Sequence, residues 1–196
     1  MGLRDRIGRG AGDAPEPAAA PSGGGLRGGG LRGGGAVHYK MQEKMFSIGD
    51  DAWIEDDNGN RAFKADGKAL RMRGTFVLED ASGNEVASIQ EKMMRVKDVM
   101  EIERGGRKIA SVKQALVSPV RDRYDVKIEG GADWDVQGNI TNHEYEITSG
   151  RDKVAEVSMK WFRVRDTYGI EVQPGQDVGL VLAVAVALDE MRRGAE

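Results

Sequence analysis

Cysteine is missing from the 196-residue sequence, and histidine occurs only twice, as His38 and His143. The absence of cysteine excludes disulfides, cysteine-ligated zinc, iron–sulfur clusters and thiol nucleophiles. Two histidines are too few for a multi-histidine metal site, and they argue against a Ser-His-Asp catalytic triad. We therefore expect a protein that binds no metal and no cofactor.

An excess of positive charge is also lacking, and so is a long apolar run. The chain has 29 Lys and Arg against 32 Asp and Glu, a net charge of −3, whereas a general nucleic-acid binder normally has a basic excess. The longest apolar run, residues 178–188, has eleven residues, and a membrane-spanning helix needs about 20. No apolar segment follows the first Met, so a secretory signal is not indicated. The sequence predicts a cytoplasmic protein with no transmembrane segment and no specific nucleic-acid partner.

Glycine and proline are concentrated at the start of the chain. Residues 1–35 contain 13 of the 28 Gly and 3 of the 5 Pro. Such a segment costs much backbone entropy to order and has almost nothing apolar to bury. We predict a disordered Gly/Arg-rich tail over residues 1–36 and one folded domain over residues 37–193. A second interpretation is that the Arg-Gly units of the tail contact RNA or anionic lipid.

The rest of the chain has the pattern of short β-strands. Apolar and polar residues alternate at period two in segments such as residues 75–79 and 124–129, and turn residues separate these segments at close spacing. Asn58-Gly59 is among the strongest short-range hairpin signals. This pattern predicts an all-β sandwich or barrel.

An internal repeat favours a closed sheet. Three segments share one pattern, in which a short strand-like stretch is followed by an Asp 12, 13 and 12 residues after its first residue. Each copy has the pattern of two strands with a polar or basic link, and repeated hairpin units favour a closed up-and-down sheet without an open edge. The copies begin at Val86, Ile109 and Val154 and reach Asp98, Asp122 and Asp166.

The C-terminus breaks the strand pattern. Asp177 can cap a helix N-terminus, and the three Ala of residues 178–188 favour a helix, although the β-branched residues there would also suit a strand. We predict a helix over residues 178–193. A helix that is apolar on every side must be buried on every side, and an eight-stranded barrel has no room for it. We therefore expect roughly ten to twelve strands around the helix. The side chains expected to pack against it are Trp53, Phe76, Trp134 and Phe162.

Several short segments carry a family resemblance. They are Tyr39-Lys40-Met41, Lys44-Met45, Gly67-Lys68-Ala69-Leu70, Ile89-Gln90-Glu91-Lys92, Val96-Lys97-Asp98, Val120-Arg121-Asp122-Arg123-Tyr124, Gln137-Gly138-Asn139, residues 161–169, and Asp177 before the closing apolar helix. With them the chain resembles the LURP-one-related family over about residues 37–193. The resemblance implies a tubby-like fold, which is mainly β, with a roughly twelve-stranded antiparallel β-barrel closed around a central hydrophobic C-terminal helix. Tubby-like relatives bind phosphoinositides at membranes, and phospholipid scramblases are related in fold. No biochemical activity is settled for LURP-one-related members themselves.

Two groups of polar residues resemble ligand sites, and each has a simpler interpretation. His143 with Glu144 and Glu146 suggests a metal site or an acid–base pair, but on a strand Glu144 and Glu146 share one face and His143 lies on the other. We interpret this segment as a solvated turn that enters a strand. Residues 55–60 have the composition of a calcium loop but lack the EF-hand spacing and its closing Glu. We interpret them as a hairpin turn.

Basic residues provide the one candidate site. Three pairs flank a single apolar residue, so in a strand both members of each pair can point outward together, and a fourth pair flanks Asp122. If the pairs are neighbours, they form a stripe that can hold the phosphates of anionic lipid headgroups, with Arg binding in bidentate fashion. The lipid- or anion-binding candidates are Arg71, Arg73, Arg95, Lys97, Arg121, Arg123, Arg163 and Arg165. The alternative is that Asp98, Asp122, Asp166 and nearby Glu residues neutralise them.

The sequence contains no recognisable nucleophile–base set, metal cluster or phosphate loop. We expect a non-enzymatic binding module that docks on anionic phospholipid headgroups, and is then peripheral at a membrane surface. One alternative is a protein-interaction or regulatory scaffold with no small-molecule ligand. Another is a hydrolase that uses carboxylates alone.

Overall fold

The computed structural model describes residues 35–42, 51–66, 75–93, 98–115, 122–161 and 167–194. Within these ranges the chain forms twelve strands, a short 3-10 turn at Met159–Trp161 and a C-terminal helix, α1, at Val178–Gly194. The strands are β1 Val37–Gln42, β2 Asp51–Asp56, β3 Arg61–Asp66, β4 Thr75–Asp80, β5 Glu85–Met93, β6 Asp98–Arg104, β7 Arg107–Gln114, β8 Asp122–Ile128, β9 Trp134–Asn139, β10 Glu144–Ser149, β11 Asp152–Ser158 and β12 Thr167–Val172. The tail predicted over residues 1–36 lies almost entirely outside these ranges, and its disorder stays a prediction.

The twelve strands within those ranges form one closed antiparallel barrel. Each strand pairs with its neighbours in sequence, and β1 pairs with β12 to close the ring. At the closure Tyr39 lies opposite Ile170 on one side and opposite Asp56 on the other. Closure removes the open sheet edges that would otherwise invite association. The prediction of a mainly β, roughly twelve-stranded antiparallel barrel with a C-terminal helix is confirmed.

The internal repeat corresponds to pairs of neighbouring strands. The three copies begin in β5, β7 and β11 and continue in β6, β8 and β12. Each of these pairs is antiparallel. The interpretation of each copy as a two-strand unit is therefore confirmed.

Successive strands alternate in direction, so their connections alternate between the two ends of the barrel. α1 begins at one end, where Asp177 contacts Arg104, the last residue of β6. The helix finishes at the other end, where Asp189 contacts Tyr168 near the start of β12. We call these the proximal end and the distal end, respectively.

The barrel interior is filled by α1 and by the inward side chains of the strands. Residues 180–188 of α1 are at most 6% exposed, and the helix packs against β5, β6, β7 and β12. Inward and outward positions alternate along the strands, as in β4, where Phe76 and Leu78 are buried and Val77 between them is less so. The prediction of a helix buried on every side is confirmed.

A cap and an ion pair fix the start of α1. The Asp177 carboxylate accepts the backbone N–H of Leu180 at 3.0 Å, and the Arg104 guanidinium donates to both carboxylate oxygens, at 2.7 and 3.0 Å. Burial alone would raise the pKa of Asp177, but the hydrogen bonds and the charge of Arg104 outweigh burial and lower it. At Gly179 an added Cβ would lie 2.4 Å from Val86 Cγ1, so a larger residue would force the helix and β5 apart. The predicted Asp177 cap is confirmed.

Two proximal hairpins share a turn built around one carboxylate. The Asp56 carboxylate accepts the backbone N–H groups of Asn58 and Asn60 and the Asn60 side-chain amide, at 2.8–3.1 Å. Asp80 makes the equivalent set of bonds in the β4–β5 connection. The prediction of a hairpin turn at residues 55–60 is confirmed, because N–H donors surround the carboxylate that a calcium loop would offer to the ion.

Four aromatic side chains were expected to pack against α1, and the structure places them differently. Phe76 and Trp134 are in the core, 1% and 8% exposed. The prediction for Trp53 is wrong, because its two strand neighbours are buried and it faces outward, with the Arg61 guanidinium 4.7 Å from its ring centre. Alternation at period two decides the direction of a side chain in a strand, and it outweighs the size of the residue. Phe162 lies outside the described residues.

Substitution of Ala185 tests the enclosure of α1. Ala185 is completely buried, so Ala185→Asp puts an unpaired charge in a low-dielectric interior, at a cost of roughly several kcal/mol. We expect loss of soluble yield and of the β-sheet signal in far-ultraviolet circular dichroism, measured without detergent. Ala132→Asp, at an exposed position of the β8–β9 connection, is the matched control and should behave like the wild type. A soluble Ala185→Asp variant with a β-rich spectrum and a cooperative melt would contradict the enclosed helix.

Candidate functional site

The predicted basic stripe falls mostly outside the described residues, where Arg71, Arg73, Arg95, Lys97, Arg121, Arg163 and Arg165 lie. Arg123, in β8, is described. Its guanidinium donates to Asp135 Oδ1 of β9 at 2.6 Å, and this bond and the charge of Asp135 raise the pKa of Arg123. The acid that neutralises Arg123 is therefore Asp135 rather than Asp122. That the eight side chains form one stripe stays a prediction.

Ion pairs on the described outer wall join neighbouring strands, or join a strand to a nearby connection. Their side chains are partly exposed, and pairs of this kind contribute only about 0–1 kcal/mol each. They nevertheless balance the charge locally, so these lysines do not offer an anion an isolated cluster of positive charge. The pairs include Lys40–Glu55, Lys64–Glu79, Lys108–Glu129, Lys127–Asp133 and Lys153–Glu171.

The chain segments that connect the strands at the two ends differ in composition. The distal connections are residues 43–50, 67–74, 94–97, 115–121, 140–143 and 159–166, and their sequence contains ten Lys and Arg against three Asp and Glu. The proximal connections are residues 57–60, 81–84, 105–106, 129–133, 150–151 and 173–177, and they contain one Arg against four Asp and Glu. Seven of the eight candidate cations belong to the distal connections, and Arg123 is the second residue of the strand that follows one of them.

Four polar side chains are buried inside the distal end, and we call them the distal polar cluster: His143, Tyr145, Tyr168 and Asp189. They are 1, 3, 0 and 2% exposed, respectively. His143 belongs to the β9–β10 connection, Tyr145 to β10, Tyr168 to β12 and Asp189 to α1. The wall of the barrel and the last turns of the helix therefore meet at one enclosed polar site.

The Asp189 carboxylate organises the cluster. The Tyr168 hydroxyl donates to Asp189 Oδ2 at 2.7 Å, and the His143 ring stacks on the Tyr168 ring with centroids 4.1 Å apart. His143 Nε2 lies 3.1 Å from Asp189 Oδ1, within ion-pair distance. The two atoms are nevertheless not aligned as a hydrogen bond, because neither of them has a hydrogen-bond partner. The link between α1 and β12 therefore depends on Tyr168.

Burial is the main cause of the shifted pKa values of Tyr145 and Tyr168. It raises the pKa of Tyr145 and of Tyr168 well above the usual value, and the negative charge of Asp189 raises both further. An unperturbed tyrosine titrates near pH ~10, so both hydroxyls stay neutral at physiological pH. A neutral hydroxyl that donates to a buried carboxylate stabilises the negative charge without adding a second one.

The interpretation of His143 as part of a solvated turn is wrong. Residues 141–143 do form a turn, but His143 has a positive φ of 49° and a buried ring. Histidine is among the residues enriched in this left-handed region of the backbone, and here that conformation accompanies a ring turned into the barrel. Glu144 and Glu146 are more exposed than His143 and Tyr145, and Glu144 accepts hydrogen bonds from Ser158 Oγ at 3.0 Å and Lys160 Nζ at 2.9 Å.

Sequence reasoning missed Tyr168 and Asp189. A signal was available at Asp189, which follows eleven residues without a polar side chain in the same helix. If the burial of that helix continues by one residue, the carboxylate enters the interior and needs a donor there. Tyr168 could not be named as the donor, because its position depends on how the barrel closes.

Metal ligands do not converge in the described ranges. No group of three or more His, Asp or Glu residues there could hold a metal ion.

Membrane crossing is a separate question. None of the helices within the described part of the chain combines the length and the hydropathy that a membrane span needs.

A family model described as LURP-one-related matches residues 37–189. The chain belongs to the LURP-one-related family. Its curated relatives include the Arabidopsis thaliana protein LURP-one-related 15, which is 26% identical over 201 aligned positions that cover 93% of each chain. The Bacillus subtilis protein YxjI, an uncharacterised protein, is 28% identical over 149 residues, 76% of this chain and 90% of YxjI.

The fold of this LURP-one-related chain also matches a solved structure. An X-ray structure of an Arabidopsis thaliana protein superposes with a TM-score of 0.62, at 21% sequence identity, over 82% of this chain and 93% of the other. At this identity the likeness is one of fold. It supports the closed barrel around α1 and does not bear on ligands.

Removal of the Tyr168 hydroxyl tests the link between α1 and β12. Tyr168→Phe leaves a buried oxygen of Asp189 without its donor, which should lower the free energy of unfolding by about 1–3 kcal/mol. Tyr39→Phe in β1, at a half-buried position, is the control and should cost less. Urea unfolding at neutral pH measures both. Equal values for the two variants would contradict the assigned role of Tyr168.

The same variant should change the response to alkali. In the unfolded chain Tyr145 and Tyr168 titrate near pH ~10, whereas in the barrel their raised pKa values keep them neutral. Their contribution to stability is therefore present below that pH and is lost as the pH rises beyond it. We expect Tyr168→Phe to make the alkaline fall in the free energy of unfolding shallower. An unchanged slope would argue against a neutral, buried hydroxyl.

Proposed function

We propose that this LURP-one-related barrel is a non-enzymatic binding module that docks on anionic phospholipid headgroups through its distal end. The observation that carries the proposal is the contrast between ten basic and three acidic residues in the distal connections and one basic and four acidic residues in the proximal ones. The protein would act in the cytoplasm, peripherally at a membrane surface. The residues proposed to hold the phosphates are Arg71, Arg73, Arg95, Lys97, Arg121, Arg123, Arg163 and Arg165.

Electrostatic attraction of this kind is local. Each Lys or Arg near an anionic bilayer contributes about 1 kcal/mol, and the attraction decays within a Debye length of about 8–10 Å. The net charge of −3 for the whole chain therefore does not oppose docking by one end. The acidic proximal connections would be repelled, so the same forces would turn the end at which α1 finishes toward the bilayer.

The interior of the barrel supports a binding role rather than catalysis. α1 and the inward side chains of the strands fill the interior. Among the residues whose burial the structure describes, Asp189 is the only buried carboxylate, and a carboxylate-only hydrolase would need a second one beside it. The distal polar cluster is at most 3% exposed, which gives a substrate no approach to it.

One described feature favours the alternative, a protein-interaction scaffold with no small-molecule ligand. Trp161 is 38% exposed, and its ring meets His38 edge-on with centroids 5.9 Å apart. Tryptophan is enriched at protein–protein interfaces and dominates their energetics. Trp161 ends the 3-10 turn that begins the distal connection 159–166, and its ring reaches His38 of β1, so a partner that bound there would contact β1 as well as the start of that connection.

Co-sedimentation with vesicles separates the two functions. We expect the wild type to bind phosphatidylcholine vesicles that contain phosphatidylserine, to release them as salt increases, and to leave pure phosphatidylcholine vesicles unbound. Arg163→Glu/Arg165→Glu should lower the affinity at least about tenfold, since each cation contributes about 1 kcal/mol and 1.4 kcal/mol corresponds to a factor of ten.

The matched control reverses the charge of two arginines at the proximal end. Arg107 and Arg151 are exposed in or beside the proximal connections, so Arg107→Glu/Arg151→Glu changes the net charge by the same amount and should leave binding nearly unchanged. Equal losses for the two double variants would show that net charge alone drives binding. No binding at low salt would rule out the lipid function and favour the scaffold.

A further inference from the structure

The distal polar cluster contains more buried polar atoms than its own hydrogen bonds satisfy. Four atoms of three side chains have no hydrogen-bond partner although they are shielded from solvent: Tyr145 Oη, Asp189 Oδ1, His143 Nδ1 and His143 Nε2. Buried polar groups of native proteins are almost always paired, because a buried group without a partner destabilises the fold. Several such atoms in one place therefore call for a further hydrogen-bonding group.

The missing group must be able both to accept and to donate. The Tyr145 hydroxyl can donate its proton, whereas the Asp189 carboxyl group already accepts from Tyr168 and offers a second oxygen, Oδ1, as an acceptor. Both are buried at the distal end of the barrel, Tyr145 as the second residue of β10 and Asp189 in the last turns of α1. A group between them has to accept from the tyrosine and donate to the carboxylate, and a water molecule does both.

We infer that the distal polar cluster binds one buried water molecule that bridges the Tyr145 hydroxyl, Asp189 Oδ1 and one ring nitrogen of His143. Buried waters typically make about three hydrogen bonds to otherwise unsatisfied groups, which is the number that these three partners provide. A metal ion does not fit, because no group of three or more His, Asp or Glu residues in the described ranges could hold one. The four side chains are at most 3% exposed, so their partner has to be a small molecule enclosed with them.

The bridging water would complete the connection between the helix and the wall at the distal end. Tyr168 already joins Asp189 to β12 directly. The water would add β10 through Tyr145 and the β9–β10 connection through His143. The position of the last turns of α1 would then depend on one exchangeable molecule. This inference does not rest on lipid binding and holds whichever function the distal end has.

Deletion of the Tyr145 hydroxyl distinguishes a hydrated site from a dry one. With a water present, Tyr145→Phe removes one of its partners, and we expect the Tm to fall by about 2–4 °C, the shift that corresponds to ~1 kcal/mol in a protein of this size. In a dry site the hydroxyl has no partner to lose, so the same change should leave the Tm unchanged or raise it. Tyr124→Phe is the control, because the Tyr124 hydroxyl in β8 is not among the buried unpaired atoms.

A crystal structure of the wild type at atomic resolution gives an independent readout. We expect electron density for one water within about 2.7–3.2 Å of Tyr145 Oη, with Asp189 Oδ1 and a ring nitrogen of His143 as its other neighbours. A dry site would overturn the inference, as would a Tyr145 hydroxyl bonded directly to Asp189. An unchanged or higher Tm of Tyr145→Phe, with Tyr124→Phe unchanged, would overturn it as well.

Discussion

The enclosure of α1 is the constraint on which the rest of this barrel depends. A helix without a polar side chain over eleven residues cannot lie at a surface, so the sheet has to surround it completely. Twelve strands provide that surface, and residues 180–188 are at most 6% exposed as a result. The helix is held at both ends: Arg104 and the Asp177 cap fix its start, and Tyr168 holds Asp189 near its finish.

Because α1 fills the interior of the barrel, the outer wall and the two ends are the surfaces at which a ligand or a partner would bind. Cross-strand ion pairs balance charge along the described wall, whereas the sequences of the connections at the two ends have opposite charge balances. The up-and-down topology is what separates these charges, because every second connection returns to the same end. The strand order thus brings connections that are far apart in the sequence to the same end of the barrel.

Much of the fold could be predicted from local patterns. Alternation, the Asn58-Gly59 turn and the two-strand repeat each report on neighbours in sequence, and an up-and-down barrel pairs just those neighbours. The predictions that were wrong, and the contact that was missed, depended on side-chain direction or on residues far apart in the sequence. Trp53 faces outward because the register places it there, and the burial of His143 depends on a positive φ that its sequence does not dictate. The contact between Tyr168 and Asp189 exists only once β12 has closed the barrel on the helix.

Amide hydrogen exchange of α1 tests the central claim most directly. If the barrel encloses the helix, the amides of residues 181–188 can exchange only when the whole barrel opens. Their exchange free energies should then equal the global free energy of unfolding measured with denaturant and should fall with it in destabilised variants. Exchange of these amides at much lower free energy, while the strands stay protected, would mean that α1 leaves the barrel independently and would contradict the account.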